Sequence, residues 1–201
     1  MPIKELKSRD EIRACIIEAA RSLIEKNGAE GLSMRAIAAR VGMPTMTLYG
    51  YFSNKSAIVR GLWSFAFDPL FAEMRQAEGN NSSDPVTRLS RVAHVYVGYW
   101  LRHPDRYRLM FMVEDPREDG AANWFIDETD VIPSYLRFGP LIAAARGKPN
   151  LDCRVDAEAL ICALTGIVHM AVTVSQYPWS KPGAYVDKIL LAFTDDRASR
   201  P

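Results

Sequence analysis

The fold of this chain is decided by the stretch Ser33-Met-Arg-Ala-Ile-Ala-Ala-Arg-Val-Gly-Met-Pro-Thr-Met-Thr-Leu-Tyr-Gly-Tyr-Phe52. It predicts two short helices that meet at a tight turn. Ser33 suits the N-cap of the first helix, because its hydroxyl can accept a hydrogen bond from a first-turn amide. Gly42 suits the end of that helix, where the backbone often becomes left-handed, and Pro44 suits the first turn of the next. The spacing of small and apolar residues around this turn is typical of a DNA-binding helix-turn-helix.

The distribution of charge agrees with this interpretation. The stretch 31–67 contains no acidic residue. Its basic residues are Arg35, Arg40, Lys55 and Arg60. Residues 1–60 carry ten Lys/Arg and six Asp/Glu, a net of +4, whereas the remainder carries fifteen and eighteen, a net of −3. A basic end without acids suits a surface that faces phosphates. The structural alternative is an ordinary helical hairpin inside an all-α core.

These residues resemble the DNA-binding end of the tetracycline-repressor (TetR) family of bacterial regulators. The matching segments are 31–38, 41–43 and 47–52, with Lys55. The resemblance implies that Thr47 and Tyr51 contact phosphates, that Tyr49 lies near the groove, and that Arg35 reaches a phosphate or a guanine. The full set of expected DNA-binding residues is Ser33, Arg35, Pro44, Thr45, Met46, Thr47, Tyr49, Gly50, Tyr51 and Lys55.

The recognition helix is expected to span roughly 44–52, with its N-terminal part in the major groove. Thr45 could hydrogen-bond to a base edge, and its methyl group or Met46 could contact a thymine methyl. Pro44 and Gly50 depart from the commoner family pattern, which has a serine cap and a larger reading side chain there. We therefore expect base recognition to depend on fewer side chains than usual.

A chain of 201 residues is long enough for one large domain or two small ones. We predict an all-α fold of about nine helices, with a helix-turn-helix DNA-binding domain over 1–53 and a ligand-binding and dimerisation domain over 54–201. The cysteines, Cys15, Cys153 and Cys162, are scattered and predict neither disulfides nor a metal site, so no metal or cofactor is expected. The polar N-terminus argues against a signal peptide, and no stretch of eighteen apolar residues indicates a membrane span. We expect a cytoplasmic protein.

Helices are predicted over 9–27, 54–78, 85–102, from 104 onward, 132–146, 152–176 and after 183. Asp84 and Asp152 are the expected caps of two of them. Asp68-Pro69 should kink the second of these helices, either as a signalling hinge or as a simple break. Residues 1–8 form either a solvated start or an arm whose Lys4, Lys7 and Arg9 touch phosphates. The charged stretch 114–120 is expected to be a solvated loop, with Trp124 and Phe125 anchoring it on the rest of the domain.

The resemblance extends into the second half through 104–111 and 166–169, which look like a TetR group with a Trp-x-x-His-Gly element. The tryptophan and final glycine of that element are absent here. The resemblance implies a homodimer in which the last two helices form a four-helix bundle; alternatively these helices only complete the monomer core. The expected interface residues are Ala159, Ala163, Gly166, Ile189 and Phe193.

The resemblance also implies a pocket for a small molecule. The candidates are Trp63, Phe67, Tyr96, Trp100, Tyr107, Met110, Phe111, His169 and Thr173. The aromatic character of this set favours a flat or hydrophobic effector, with His169 as the polar anchor. The alternative for any one of these residues is that it belongs to the plain core.

The sequence therefore predicts a bacterial repressor that a hydrophobic or aromatic effector releases from a palindromic operator. Its partners would be double-stranded DNA, the effector and a second copy of itself, and no membrane. The alternatives are a DNA-binding dimer without a small-molecule effector and an all-α enzyme. No nucleophile–base pair, metal spacing or phosphate loop in the sequence supports the enzyme.

Overall fold

The computed structural model describes residues 8–79, 84–112 and 137–194. Across these residues the structure is all-α, as predicted, with ten α-helices, one 3₁₀ turn over Ala29–Gly31 and no strand. Two of the helices are separated by the single residue Leu62, so counting them as one bent helix gives nine. The expectations for Lys4 and Lys7, for the loop over 114–120 and for Trp124 and Phe125 lie outside the described residues.

The helices follow the predicted order closely. Their bounds are α1 (Arg9–Asn27), α2 (Met34–Val41), α3 (Thr45–Tyr49), α4 (Lys55–Gly61), α5 (Trp63–Glu78), α6 (Pro85–Arg102), α7 (Pro104–Phe111), α8 (Phe138–Ala145), α9 (Arg154–Thr173) and α10 (Pro182–Thr194).

Contacts divide the chain into two compact units. The first unit comprises 1–68 with 104–119, and the second comprises 69–103 with 120–201. Both divisions between described residues fall at an X–Pro step, Asp68–Pro69 and His103–Pro104. The domain boundary expected after residue 53 lies inside the first unit and remains a prediction.

The first unit is built on α1, which packs against α2 and α4. Its core contains Ile16, Ala20, Ile37, Leu48 and Ile58, all fully buried. Burying such apolar side chains is the main favourable term in folding a small unit. Ile16 and Ala20 lie four residues apart on α1, so one face of this helix packs into the core of the unit.

Local capping fixes where the first helices begin and end. Ser8 and Glu11 form a reciprocal capping box at the start of α1. The Ser33 hydroxyl accepts a hydrogen bond from the Ala36 amide at 3.1 Å, as predicted. Gly42 ends α2 with φ 74°, in the left-handed region that favours glycine. Asn54 caps α4 by accepting from the Ala57 amide at 2.8 Å.

The helix predicted over 54–78 is divided into two helices. The interruption lies at Leu62, whereas Asp68 and Pro69 both lie inside α5. Leu62 is fully buried, and its amide bonds to the Val59 carbonyl at 2.9 Å, which tightens the last turn of α4. The kink expected at Asp68-Pro69, inside α5, remains a prediction.

The second unit is organised around α6, which packs against α8, α9 and α10. Asp84 caps α6 as predicted, with Oδ2 accepting from the Thr87 amide at 2.8 Å. Tyr96 and Trp100 of α6 are fully buried. The buried residues of α6 form a broad apolar stripe, and its arginines lie outside that stripe, as expected for an amphipathic helix.

Helix α9 is unusual in the second unit because most of it is uncovered. Ala157, Leu160, Leu164 and Val168 are buried on its inner face. Its N-cap position is Cys153, although Asp152 still accepts a hydrogen bond from the Arg154 amide at 3.0 Å. By length and composition α9 is apolar enough to cross a membrane, with a mean hydropathy of 1.6, and only 22% of that window is buried. The outer face of α9 is therefore an apolar surface for which the single chain supplies little cover.

Candidate nucleic-acid interface

The candidate interface is centred on α3, the second helix of the helix-turn-helix. The residues that anchor it are Leu48, which is fully buried, and Phe52, which is 4% exposed. Met46 is 80% exposed and Tyr49 is 46% exposed, so these two side chains project away from the core. A helix that buries one face and presents the other can enter a DNA groove.

Helix α3 is shorter than the predicted 44–52. Pro44 occupies the N-cap position, with φ −61° and ψ 141°, and provides no side-chain cap. After Tyr49 the chain continues as a turn, in which Tyr51 donates its amide to the Leu48 carbonyl at 2.9 Å. Gly50 is exposed, which leaves an open backbone position beside Tyr49.

The residues expected to contact phosphates surround α3 in the first unit. Arg35 and Thr47 are exposed, whereas Thr45, Tyr51 and Lys55 are half-buried. Ser33 is also exposed, but its hydroxyl already caps α2. Lys55 is the first residue of α4, where first-turn amides have no partner within the helix. Such a combination of a cation and free amides is suited to a phosphate oxygen.

Arg9 and Arg13 of α1 contact the end of α3, and sequence reasoning missed this role. Arg9 Nη2 donates to the Gly50 carbonyl at 2.6 Å, and Arg13 Nη1 donates to the Tyr51 carbonyl at 2.5 Å. The four-residue spacing of the arginines is visible in the sequence, but their partners lie 41 and 38 residues away. Only the packing of α1 in the folded unit shows which carbonyls these guanidiniums bind.

The acidic side chains of α1 are partly neutralised within that helix. Arg21 bonds to Glu18 and to Glu25, the latter at 2.7 Å. The Arg21 guanidinium lowers the pKa of the Glu18 carboxyl, so Glu18 stays ionised and paired. The acid-free stretch 31–67 therefore keeps its positive character.

The ligand candidates of the first unit form an aromatic cluster. Trp63 stacks on Phe67 with 5.0 Å between ring centroids, and Phe67 meets Phe111 edge-on at 6.1 Å. Tyr107 lies 4.9 Å from Phe111. Met110 is buried, whereas Phe111 is 39% exposed. The structure thus brings these candidates together along α5 and α7.

The ligand candidates of the second unit lie in two different environments. Tyr96 and Trp100 are fully buried, and the Tyr96 hydroxyl lies 2.7 Å from the Thr165 hydroxyl. His169 and Thr173 are exposed on α9, where the Thr173 hydroxyl donates to the His169 carbonyl at 2.6 Å. The assignment of these nine residues to a ligand pocket remains a prediction.

The dimer candidates lie on or beside the outer face of α9 and α10. Ala159 and Gly166 are exposed, and Ala163, Ile189 and Phe193 are half-buried. A Cβ atom added to Gly166 would meet no heavy atom within 4 Å. Between α9 and α10 there is an apolar groove of about 310 Å³. The residues that line it are Gly166, Ile167, Met170, Ala171, Trp179, Pro182, Tyr185, Lys188 and Ile189.

Comparison with known proteins supports the assignment of the helix-turn-helix. Residues 16–62 match the family described as "Bacterial regulatory proteins, tetR family". An HTH-type transcriptional regulator of Mycobacterium tuberculosis, Rv1816, is 30% identical over 112 residues, which is 54% of this chain and 47% of that protein. The chain thus spans about half the length of the curated relatives it matches.

Two solved structures share the fold over almost the whole chain. A TetR-like transcriptional regulator from Rhodococcus sp. RHA1 has a TM-score of 0.60 at 16% identity and covers 98% of this chain and 100% of its own. The transcriptional regulator FadR from Bacillus subtilis, in complex with stearoyl-CoA, has a TM-score of 0.63 at 17% identity and covers 90% of this chain and 97% of its own. At such identities the likeness establishes the fold alone. Residues 16–62 thus resemble the tetR family of bacterial regulatory proteins, and the chain as a whole shares the fold of these solved structures.

Proposed function

We propose that the protein is a DNA-binding transcription regulator that contacts a palindromic operator through α3. The observation that carries the proposal is the exposure of Met46 and Tyr49 on a helix held from behind by Leu48. These outward side chains lie within the acid-free stretch 31–67. Entry into a DNA groove requires exposed side chains that can contact base edges. It also requires that the segment carry no acidic residues, which would repel the phosphates.

The proposed readers act through apolar and polar contacts to base edges. The Met46 side chain would contact a thymine methyl, and the Thr45 hydroxyl would bond to a neighbouring base edge. Arg35, Thr47 and Lys55 would contact phosphates, which fix the register but carry no sequence information. Because Gly50 has no side chain, the base pair facing this position would receive no contact from it.

The experiment that tests this function is selection of bound sequences from random DNA, followed by titration of the selected site at several salt concentrations. Tyr49→Ala should weaken operator binding about tenfold, the loss expected when one good base contact disappears. Lys55→Ala should weaken all DNA alike and reduce the salt slope by about one charge. Lys26→Ala is the matched control, because Lys26 is exposed in the same unit but lies outside 31–67. The proposal would be refuted if the affinity for DNA did not change with salt concentration, or if the selection enriched no sequence.

The exposed face of α9 supports the proposal that the regulator is a homodimer. Val155 is 76% exposed and Met170 is 43% exposed on α9, and Leu191 is 62% exposed on α10. Apolar side chains in such a patch favour association with another apolar surface. A two-fold dimer would offer two copies of α3 to a palindromic operator, whose adjacent major grooves lie roughly 34–36 Å apart.

Met170→Lys tests the dimer, with Val86→Lys as the matched control. Val86 is 43% exposed, like Met170, but lies in the first turn of α6. Sedimentation should show that Met170→Lys dissociates the dimer and that Val86→Lys does not. An unchanged mass for both variants would remove α9 from the interface. Flotation of the wild-type chain with lipid vesicles would instead assign this face to a membrane.

We further propose that a small hydrophobic or aromatic effector lowers operator affinity, so that the protein acts as a cytoplasmic repressor. The buried rings of Tyr96 and Trp100 and the cluster around Phe67 support the preference for an apolar ligand. A coupling of ~1–3 kcal/mol would reduce operator affinity about 5- to 150-fold. The alternative is a DNA-binding dimer that has no small-molecule effector.

A thermal-shift screen distinguishes these two possibilities. The probes are aromatic compounds and long-chain acyl-CoAs, the latter because a protein of the same fold was solved with stearoyl-CoA. A ligand that raises Tm and also lowers operator affinity supports the repressor. A ligand that raises Tm while leaving operator affinity unchanged refutes the coupling.

A further inference from the structure

The end of the recognition helix is held by two arginines of α1 through a repeated pattern of contacts. Arg9 donates to the Gly50 carbonyl and lies 5.4 Å from the centroid of the Tyr51 ring. Arg13 donates to the Tyr51 carbonyl and lies 4.3 Å from the centroid of the Phe52 ring. Each guanidinium thus contacts one carbonyl and the aromatic ring of the following residue.

Helix α3 has few means of holding itself in place. It comprises five residues, and helices of that length are not stable alone, because the first turn costs more conformational entropy than its hydrogen bonds return. Pro44 provides no side-chain cap at its start. Carbonyls at and beyond a helix end require partners from elsewhere, and a cation there also matches the negative end of the helix dipole. The guanidiniums of Arg9 and Arg13 satisfy both requirements.

The two arginines lie four residues apart, on one face of α1. Helix α1 also packs against α2 and α4 through the core of the first unit. The contacts of Arg9 and Arg13 therefore connect the end of α3 to the longest helix of that unit. A small rotation of α3 would break both carbonyl contacts together.

We propose that Arg9 and Arg13 are positioning residues for DNA recognition, which fix the orientation of α3 and so set its discrimination between operator and other DNA. This inference rests on the proposed DNA-binding function. The planar guanidinium can donate to a carbonyl and cover a ring at the same time, whereas an ammonium is a compact point charge on a flexible stem. Lysine should therefore preserve the charge but lose the orientation.

The first test uses the free protein and needs no DNA. Amide hydrogen exchange is measured at Gly50, Tyr51 and Phe52, whose amides bond within the α3 turn. The double variant Arg9→Lys/Arg13→Lys should exchange at these amides about tenfold faster than wild type, because the turn opens more often. Unchanged protection would overturn the proposal.

The matched control for both tests is Arg21→Lys. Arg21 lies on the same helix and receives the same substitution, but its carboxylate partners, Glu18 and Glu25, belong to α1 itself. We expect wild-type exchange rates at the α3 turn for this control. Thermal denaturation of all variants checks that they are folded at the assay temperature.

The second test compares affinities for the selected operator and for a scrambled duplex at matched salt. The double variant should lose about tenfold in the ratio of the two affinities, because two exposed hydrogen bonds are lost at roughly threefold each, with an unchanged salt slope because the charge is kept. Equal losses on both duplexes, or no loss on either, would overturn the positioning role. A wild-type chain that selects no sequence would refute DNA binding, and hydrogen exchange would still decide whether the arginines hold α3.

Discussion

Replacing Arg146 with methionine should destabilise the second unit more than any exposed charge substitution there. The Arg146 side chain is 2% exposed and bonds to both oxygens of Asp156, at 2.9 and 3.1 Å. It also donates to the Phe193 carbonyl at 2.9 Å and contacts the Cys153 sulfur at 3.9 Å. One buried guanidinium thus connects the end of α8 to the first turn of α9 and the last turn of α10.

The expected loss depends on the burial of the partners that remain. Removing one member of a buried ion pair costs ~3–5 kcal/mol, because the other charge stays desolvated. Asp156 is 35% exposed, so water can replace part of its lost interaction and the lower end applies. We expect Arg146→Met to lower the free energy of unfolding by about 3 kcal/mol, or Tm by about 6–12 °C. Methionine keeps most of the side-chain volume, so a cavity adds little.

Urea denaturation at one fixed protein concentration measures the effect, because dimerisation would otherwise change the apparent stability. Arg154→Met is the matched control: Arg154 also pairs with a carboxylate, Glu158 at 3.0 Å, but its side chain is 70% exposed. An exposed pair of this kind should cost ~0.5 kcal/mol or less. Equal losses for Arg146→Met and Arg154→Met would refute the argument from burial.

Two further predictions concern the local signals that shape the helices. Gly42→Ala should destabilise the first unit by about 1 kcal/mol in urea denaturation, because φ 74° is strained for any residue with a Cβ; an unchanged midpoint would contradict this. Asp84→Asn should make the free energy of unfolding depend less on pH at acidic pH. Hydrogen bonds from Thr87 lower the pKa of Asp84 below its ordinary value of 3.8, so its contribution is present above that pH and is lost as pH falls through the lower folded pKa. Parallel profiles for wild type and Asp84→Asn below about pH 4 would refute this linkage.

The sequence predicted well those features that depend on residues close together in the chain. Ser33, Gly42 and Asp84 mark helix ends because each meets a backbone requirement within three or four residues. No such local signal marks Leu62, the fully buried residue at which the helix predicted over 54–78 is divided into α4 and α5.

The candidate interface shows the same division. Met46 was expected to face DNA and is exposed, and the burial of Leu48 two residues later is consistent with helical periodicity. The length of α3 and its support by Arg9 and Arg13 were not predicted, since the carbonyls that these arginines bind lie about forty residues away. The pattern of residues within the segment 33–52 therefore cannot predict a contact with those arginines.

The sequence by itself therefore determined an all-α fold with a helix-turn-helix, because caps, turns and apolar periodicity act over one or two helical turns. Only the tertiary structure decided which charges meet. Nothing in the sequence distinguishes Arg146 from other basic residues, whereas in the fold its buried guanidinium makes four polar contacts. The physical reason is that the hydrogen-bond partners of a long polar side chain must lie within about 3 Å of its nitrogen atoms. Which acceptors lie that close depends on the folded backbone and not on neighbouring residues in the sequence.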